Sequence, residues 1–190
     1  MGRPKAALPL TDRRDTFVGR LTHTFVASGI PDIVIVTGAH AEIVRAAAPA
    51  DRRVRFVHNA DWAKGQLSSL QAALRASSPA GPLVEAIIMT LVDVPLVAPS
   101  TVAAVVSHWR LSRAPIVRPA RGDEHGHPVL FDRVLFDELL SADLEAGAKV
   151  VVRAHSRAIL NVPVDDPGAF LDVDTEADYD ALRATSVQRA

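Results

Sequence analysis

Short runs rich in β-branched residues alternate along this chain with stretches of helical periodicity, and that alternation limits the possible folds more than any other feature. Ile33–Thr37 (IVIVT), Val54–His58 (VRFVH), 86–91 (AIIMTL) and 115–117 (PIV) are short and bounded by Gly, Pro, Asn or Asp. Such runs read as strands covered on both faces, the pattern of a parallel sheet. Between them, 16–28 places Phe17, Leu21, Phe25 and Val26 on one helical stripe and stops at Gly29. Residues 67–76, opened by Gly65 and Ser68, and 99–111, starting at Ser100 or Thr101, read as two further helices. Strand–helix alternation of this kind predicts right-handed βαβ units around a mostly parallel sheet.

The last third is less regular. It predicts a strand over 127–131, helices over 132–140 and 147–155, and a strand at Ile159–Pro163. Thr175-Glu176-Ala177-Asp178 has the layout of a capping box, with Asp in the place of the usual Glu or Gln, and starts a helix that runs to about Arg183. No repeat, low-complexity tract or long linker divides the chain, so 1–190 is expected to be a single domain. With 48% hydrophobic and 23% charged residues, it has the composition of a globular protein that can bury a core without staples. A formal charge of −1 argues against a nonspecific grip on nucleic acid. The absence of Cys excludes disulfides, thiolate metal sites and a cysteine nucleophile, and it fits a reducing cytoplasm. No apolar run approaches a bilayer span and no signal-peptide apolar region opens the chain, so no membrane partner is expected.

In open parallel sheets, ligands bind outside the carboxyl ends of the strands. Three places put polar chemistry there or beside it. Strand 86–91 runs into Val92-Asp93-Val94-Pro95, where a carboxylate directly beyond a strand can hold a divalent cation, or simply end the strand in a turn. In Leu171-Asp172-Val173-Asp174 an extended backbone points both acids to one side. There they can complete a site with Asp93, or only enrich a helix N-terminus in negative charge. At the start of the chain Gly2, Arg3 and Lys5 cluster before an apolar segment and can lie against phosphates, or form an ordinary basic terminus. A metal-bound triphosphate needs cationic and acidic groups converging on one place.

Taken in order, MGRPKAALPL, VTGAH (36–40), HNADWAKGQLSSLQAAL (58–74), LVDVPLV (91–97), HGHPVLF (125–131) and LDVDTEADY (171–179) resemble the MobA-like nucleotidyltransferases, in particular the molybdenum cofactor cytidylyltransferases and guanylyltransferases. The resemblance implies a Rossmann-like three-layer α/β sandwich. It implies an enzyme that transfers a nucleoside monophosphate from CTP or GTP to a phosphate on the molybdopterin cofactor, releasing pyrophosphate, with a recipient molybdoenzyme as a further partner. By matching position, Lys5 would hold the triphosphate, Asp93 would bind Mg²⁺, and Asp174 with Asp172 would complete that metal site. Gly2 and Arg3 would lie along the phosphates. Gly65, Ser68 and Ser69 would lie beside the nucleotide and acceptor, and Gly126 and His127 would border the acceptor pocket. For His127, a structural role at the strand end is an equal alternative.

The family pattern opens with a strand and a Gly-rich loop, roughly LAAGxSxRMGxPK, whereas this sequence starts at the Met of MGxPK. The resemblance therefore implies that the first strand and the phosphate loop are absent from this sequence, through a start codon placed too late or a truncated relative. Two other functions fit the same fold. One is a non-catalytic cofactor-binding protein, for which the missing loop speaks. The other is a nicotinamide-dependent oxidoreductase, against which stands the lack of any G-x-G-x-x-G after a strand.

Overall fold

The structure, a computed structural model, describes residues 4–10, 15–77 and 84–187. Gly2 and Arg3 lie outside the described residues. After a 3-10 turn at Lys5–Ala7, the chain forms α1 (Phe17–Ala27), β1 (Ile33–Thr37), α2 (Ala41–Ala47), β2 (Val54–His58), α3 (Gln66–Ser77) and β3 (Ala86–Met89). There follow α4 (Pro99–Ser112), β4 (Ile116–Arg121), β5 (Glu124–His125), β6 (Val129–Asp132), α5 (Phe136–Ser141), α6 (Lys149–Ala154), β7 (Ile159–Pro163) and α7 (Glu176–Val187).

The helix ends follow their sequence signals. The Thr16 hydroxyl accepts from Gly19 N–H at 3.1 Å and caps α1, while Gly29, at φ +77°, ends it in a conformation that side chains avoid. At α7 the expected box forms reciprocally: Thr175 N–H donates to Asp178 Oδ2 at 2.8 Å, and Asp178 N–H donates to Thr175 Oγ1 at 3.1 Å. The helix expected over 132–140 is split. Asp132 caps a 3-10 turn at Arg133–Leu135 by accepting from Val134 N–H at 3.0 Å, and α5 follows it. Three elements carried no usable signal: α2, which buries no residue and so has no apolar stripe, the two-residue β5, and the extension of β4 to Arg121.

β1 and β2 pair in parallel as one two-stranded sheet, and the other strands form a second. In that second sheet β6 runs antiparallel to both β3 and β4, so those two share a direction, and β7 joins β4 in parallel. The architecture is the expected α/β one, with β5 and β6 as the reversed strands. Alternation along β4 and β6 builds the layers. Ile116 and Phe131 pack with Leu67, Leu70 and Leu74 of α3, Leu139 of α5 and Val151 of α6. Val117 and Leu130 pack on the opposite face with Val105 and Trp109 of α4. Both faces of this sheet are thus covered by helices, giving three layers.

One expectation needs correction. IVIVT, VRFVH and AIIM were expected to be covered on both faces, yet most of their residues are only half-buried. The reason is lateral: among the described residues β1, β2 and β3 each bond to one neighbour only, so each has an open edge. β1 and β3 nevertheless share a cluster, since Ile33 and Ile88 both pack against Leu21 and Phe25 of α1.

Candidate active site

The site is assembled where the two ends of the chain meet the segment after β3. Leu8 and Leu10 bury in one cluster with Phe17, Val173 and Leu182, and Tyr179 Oη donates to the Pro9 carbonyl at 2.6 Å. Val173 therefore points inward, and its N–H donates to the Asp93 carbonyl at 2.8 Å. The acids on either side of Val173 fall next to Asp93 for that reason. Lys5, three residues before Leu8 in the chain, donates from Nζ to Asp174 Oδ1 at 2.7 Å although it is 169 positions away in sequence.

A turn at Pro167–Phe170 fastens the neighbouring loops. Asp166 accepts from Ala98 N–H (2.9 Å), Thr101 Oγ1 (2.6 Å) and Gly168 N–H (3.1 Å), tying the segment after Asp93 to the end of β7. A Cβ on Gly168 would stand 2.1 Å from the Leu96 carbonyl oxygen, and one on Gly126 would stand 2.3 Å from the Ala169 carbonyl oxygen. Both glycines let backbones cross at contact distance. Gly126 was expected at the acceptor pocket. The structure places it in that crossing, between His125 and His127, which both line the cleft. Asp166 and Gly168 were not singled out from sequence; a DDPG turn is too common a pattern to mark a clamp. Gly168→Ala should force the Leu96 segment away and cost about 1–3 kcal/mol, as other overpacked sites do. A thermal unfolding curve that matches wild type would show that the crossing can relax.

The electrostatics single out Asp93. Its Oδ1 is buried without a hydrogen-bond partner among the described residues. Burial pushes its carboxyl above the ordinary range, Lys5 pulls it down, and Asp172 and Asp174 push it further up. His127 is held below the usual imidazole range by burial, opposed by a backbone hydrogen bond at Met89 and by Asp172 and Asp93. Its Nδ1 has no partner among the described residues either. A neutral ring of this kind suits an acceptor or donor to a ligand better than a charge.

Among the described residues, no three His, Asp or Glu side chains stand close enough to hold an ion between them as they are, so the expected triad of ligands is not preformed. The Lys5 ammonium sits on Asp174 instead. The donor set still fits a hard cation. An orphaned carboxylate oxygen on Asp93, with Asp172 and Asp174 beside it, offers the one or two carboxylates that Mg²⁺ or Mn²⁺ takes alongside substrate phosphates.

These groups line a cleft of about 590 Å³, within the usual range for small-molecule sites. Asp93, Asp172 and Asp174 stand in its wall with His127 and His125, Gln66, Arg118 and Lys149, over an apolar floor that includes Met89, Val129, Phe131 and Val152. Gln66, Arg118 and Lys149 were not singled out from sequence, because each is an isolated polar residue without a motif. Ser68, expected beside the nucleotide, is buried: its hydroxyl donates toward the Gly65 (2.7 Å) and Asp61 (2.9 Å) carbonyls and accepts from Asn59 Nδ2 (2.8 Å). Its bonds shape the loop rather than face a ligand. Ser69 Oγ accepts from the same Asn59 at 3.1 Å, and Gly65 holds φ +95° at the entry to α3.

The fold and this cleft define a nucleotidyltransferase-type α/β domain, and comparison with known proteins agrees. Residues 1–159 match the MobA-like NTP transferase domain, and the chain belongs to that family. It is 34% identical over 182 residues to the nicotine blue oxidoreductase of Paenarthrobacter nicotinovorans, covering 92% of this chain and 86% of that protein. The manganese complex of Rv0371c from Mycobacterium tuberculosis superposes with a TM-score of 0.78 at 30% identity, over 96% of this chain and 93% of that one. The molybdopterin-guanine dinucleotide biosynthesis protein A of Archaeoglobus fulgidus shares the fold, with a TM-score of 0.70 at 17% identity over 98% of this chain and 92% of that one. No helix among the described residues is long and apolar enough to cross a membrane.

Proposed function

We propose that the protein is a divalent-metal-dependent nucleotidyltransferase that moves a nucleoside monophosphate from CTP or GTP to the phosphate of the molybdopterin cofactor. The observation that carries this reading is the convergence of Asp93, Asp172 and Asp174 in one cleft, with Lys5 paired to Asp174 beside it and all three neighbours acting electrostatically on Asp93. The chemistry needs no covalent nucleophile. An oxygen of the acceptor phosphate bonds to the α-phosphorus, the bond from that phosphorus to the bridging oxygen breaks, and pyrophosphate leaves with the electron pair.

The protein's part is position and charge. Lys5 exchanges Asp174 for a triphosphate oxygen, an inexpensive exchange because the pair is exposed. Asp93, with Asp174 or Asp172, would hold Mg²⁺ or Mn²⁺, which when bound supplies neutralisation of the developing phosphate charge. His127, kept neutral, adds no further charge to the acidic end. The apolar floor keeps water from competing with the acceptor.

The test is pyrophosphate release with CTP or GTP, molybdopterin and Mg²⁺, followed by isolation of the dinucleotide product. Release that needs both the acceptor and the metal supports the reading. A second reading rests on the 34% identity to the nicotine blue oxidoreductase. It predicts NAD(P)H consumption with an oxidised dye and no pyrophosphate from any nucleotide. Nucleotide or cofactor binding without either turnover would mark a non-catalytic binding protein.

A further inference from the structure

We propose that Asp166 is a positioning residue for the cleft: its carboxylate anchors the strap of chain that carries Asp172 and Asp174, and so sets how far those acids stand from Asp93. The inference rests on the metal reading of the three acids for its purpose, while the strap itself is argued from the bonds it makes.

Residues 164–173 are held at four points. Val164 N–H donates to the Ala120 carbonyl at 3.2 Å, the Ala169 carbonyl accepts from His127 N–H at 2.8 Å, and Val173 N–H donates to the Asp93 carbonyl at 2.8 Å. These links join backbone to backbone, and other side chains on the strap would allow them equally. The fourth is made by a side chain. Asp166 Oδ2 accepts from Ala98 N–H at 2.9 Å and from Thr101 Oγ1 at 2.6 Å, while Oδ1 accepts from Gly168 N–H at 3.1 Å. Ala98 stands at the N-cap of α4 and has no polar side chain to offer there, and Thr101 is buried. A carboxylate brought in from the strap meets both needs and suits the helix N-terminus.

Two of the four links reach the same segment, the one that follows β3. Asp93 receives the strap at one end and Ala98 receives it at the other. Between them the backbones lie in contact, since a Cβ on Gly168 would stand 2.1 Å from the Leu96 carbonyl oxygen, and Val97 and Ala169 bury in one cluster. With both links made, the strap can neither slide along that segment nor swing from it. Asp172 and Asp174 flank the link at Val173 and are themselves exposed. Without Asp166 that link becomes a pivot, and small rotations about it change the distance from each flanking acid to Asp93. Mg²⁺ takes near-octahedral oxygens at about 2.0–2.1 Å and tolerates little of this. Groups that only orient the ligands of a metal commonly shift its affinity about 10–100-fold.

The test compares Asp166→Ala, Asp166→Asn and Thr101→Val with the wild-type chain at a temperature where unfolding curves show each of them folded. Amide hydrogen exchange in chelator, without nucleotide, should show the Val173 N–H of Asp166→Ala exchanging about tenfold faster or more, over and above any change along the β4–β6 ladder. Mn²⁺ titrated alone, followed by its paramagnetic resonance signal, should bind Asp166→Ala about tenfold more weakly or worse. Asn keeps an oxygen for Ala98 and Thr101, so Asp166→Asn should recover most of both losses. Thr101→Val removes one bond from outside the strap and should move both readouts the same way by less, which keeps the idea refutable if Asp166→Ala does not fold. Capping of α4 alone predicts another pattern: Val173 and the β4–β6 ladder speed up together, and Mn²⁺ affinity stays where it was. That pattern, an Asp166→Asn protein no better than Asp166→Ala, or wild-type exchange at Val173 in Thr101→Val would each overturn the proposal. A wild-type chain that takes up no Mn²⁺ would overturn the metal reading instead, because exchange at Val173 is measured without metal.

Discussion

Asp93→Asn should lower metal-dependent nucleotide turnover by about 10³-fold or more, while the metal-free protein becomes no less stable and unfolds at a slightly higher temperature near neutral pH. The two effects share one cause. Asp93 Oδ1 is buried with no hydrogen-bond partner among the described residues, and burial raises its pKa above the ordinary 3.8. In the metal-free fold its charge is therefore a burden, and the sign follows by linkage. As pH rises, the unfolded chain releases this proton first, so the folded state loses stability from about 3.8 up to the raised native value. Asn removes that loss. Thermal unfolding in chelator should show the variant and wild type alike near pH 3 and the variant ahead at pH 7. Undiminished turnover would remove Asp93 from the site. A marked drop in unfolding temperature at pH 7 would make its carboxylate structural.

Much of the fold was legible because the relevant signals are local. β1, β2 and β7 lie where their β-branched runs predict, and α1, α3 and α4 follow their stripes within a residue or two. What the runs could not carry is lateral pairing. IVIVT and AIIM read as central strands, yet each has an open edge among the described residues, because hydropathy reports faces and not neighbours. The reversed β6 was equally hidden, since a strand of four residues has the same composition in either direction.

The site divides along the same line. Asp93 and the pair Asp172 and Asp174 were visible as acids just beyond apolar segments. The bond from Val173 N–H to the Asp93 carbonyl, which brings them together, lies between residues 80 positions apart and leaves no mark in either segment. Ser68 is ambiguous in sequence because a small polar residue near a glycine looks the same whether it faces a phosphate or ties its own loop. Only the bonds to Asp61, Gly65 and Asn59 tell which.

Lys5→Ala should cut turnover by about 10²–10³-fold, the usual loss for one charge-stabilising donor, and should leave stability nearly unchanged. The Lys5–Asp174 pair is 29% and 65% exposed at its two side chains, and a pair that open contributes about 0–1 kcal/mol. Asp174 invites the rival account that it merely decorates the N-terminus of α7. The hydrogen bonds argue otherwise. Thr175 and Asp178 cap the helix between them, and Asp178 Oδ2 also accepts from Asp174 N–H at 3.2 Å, so the Asp174 carboxylate has no capping work left to do. Asp174→Ala should therefore raise the Mg²⁺ concentration for half-maximal turnover strongly, and Asp172→Ala should do so less. Combining Asp174→Ala and Asp172→Ala should resemble Asp93→Ala, since groups that serve one ion do not add. Thr175→Ala should do the reverse, costing about 0.5–2 kcal/mol of stability with the Mg²⁺ dependence unmoved. Mg²⁺ titrations of activity, set beside thermal unfolding of the same variants, separate the two accounts. An Asp174→Ala protein with wild-type Mg²⁺ half-saturation and a lowered unfolding temperature would return that acid to the helix.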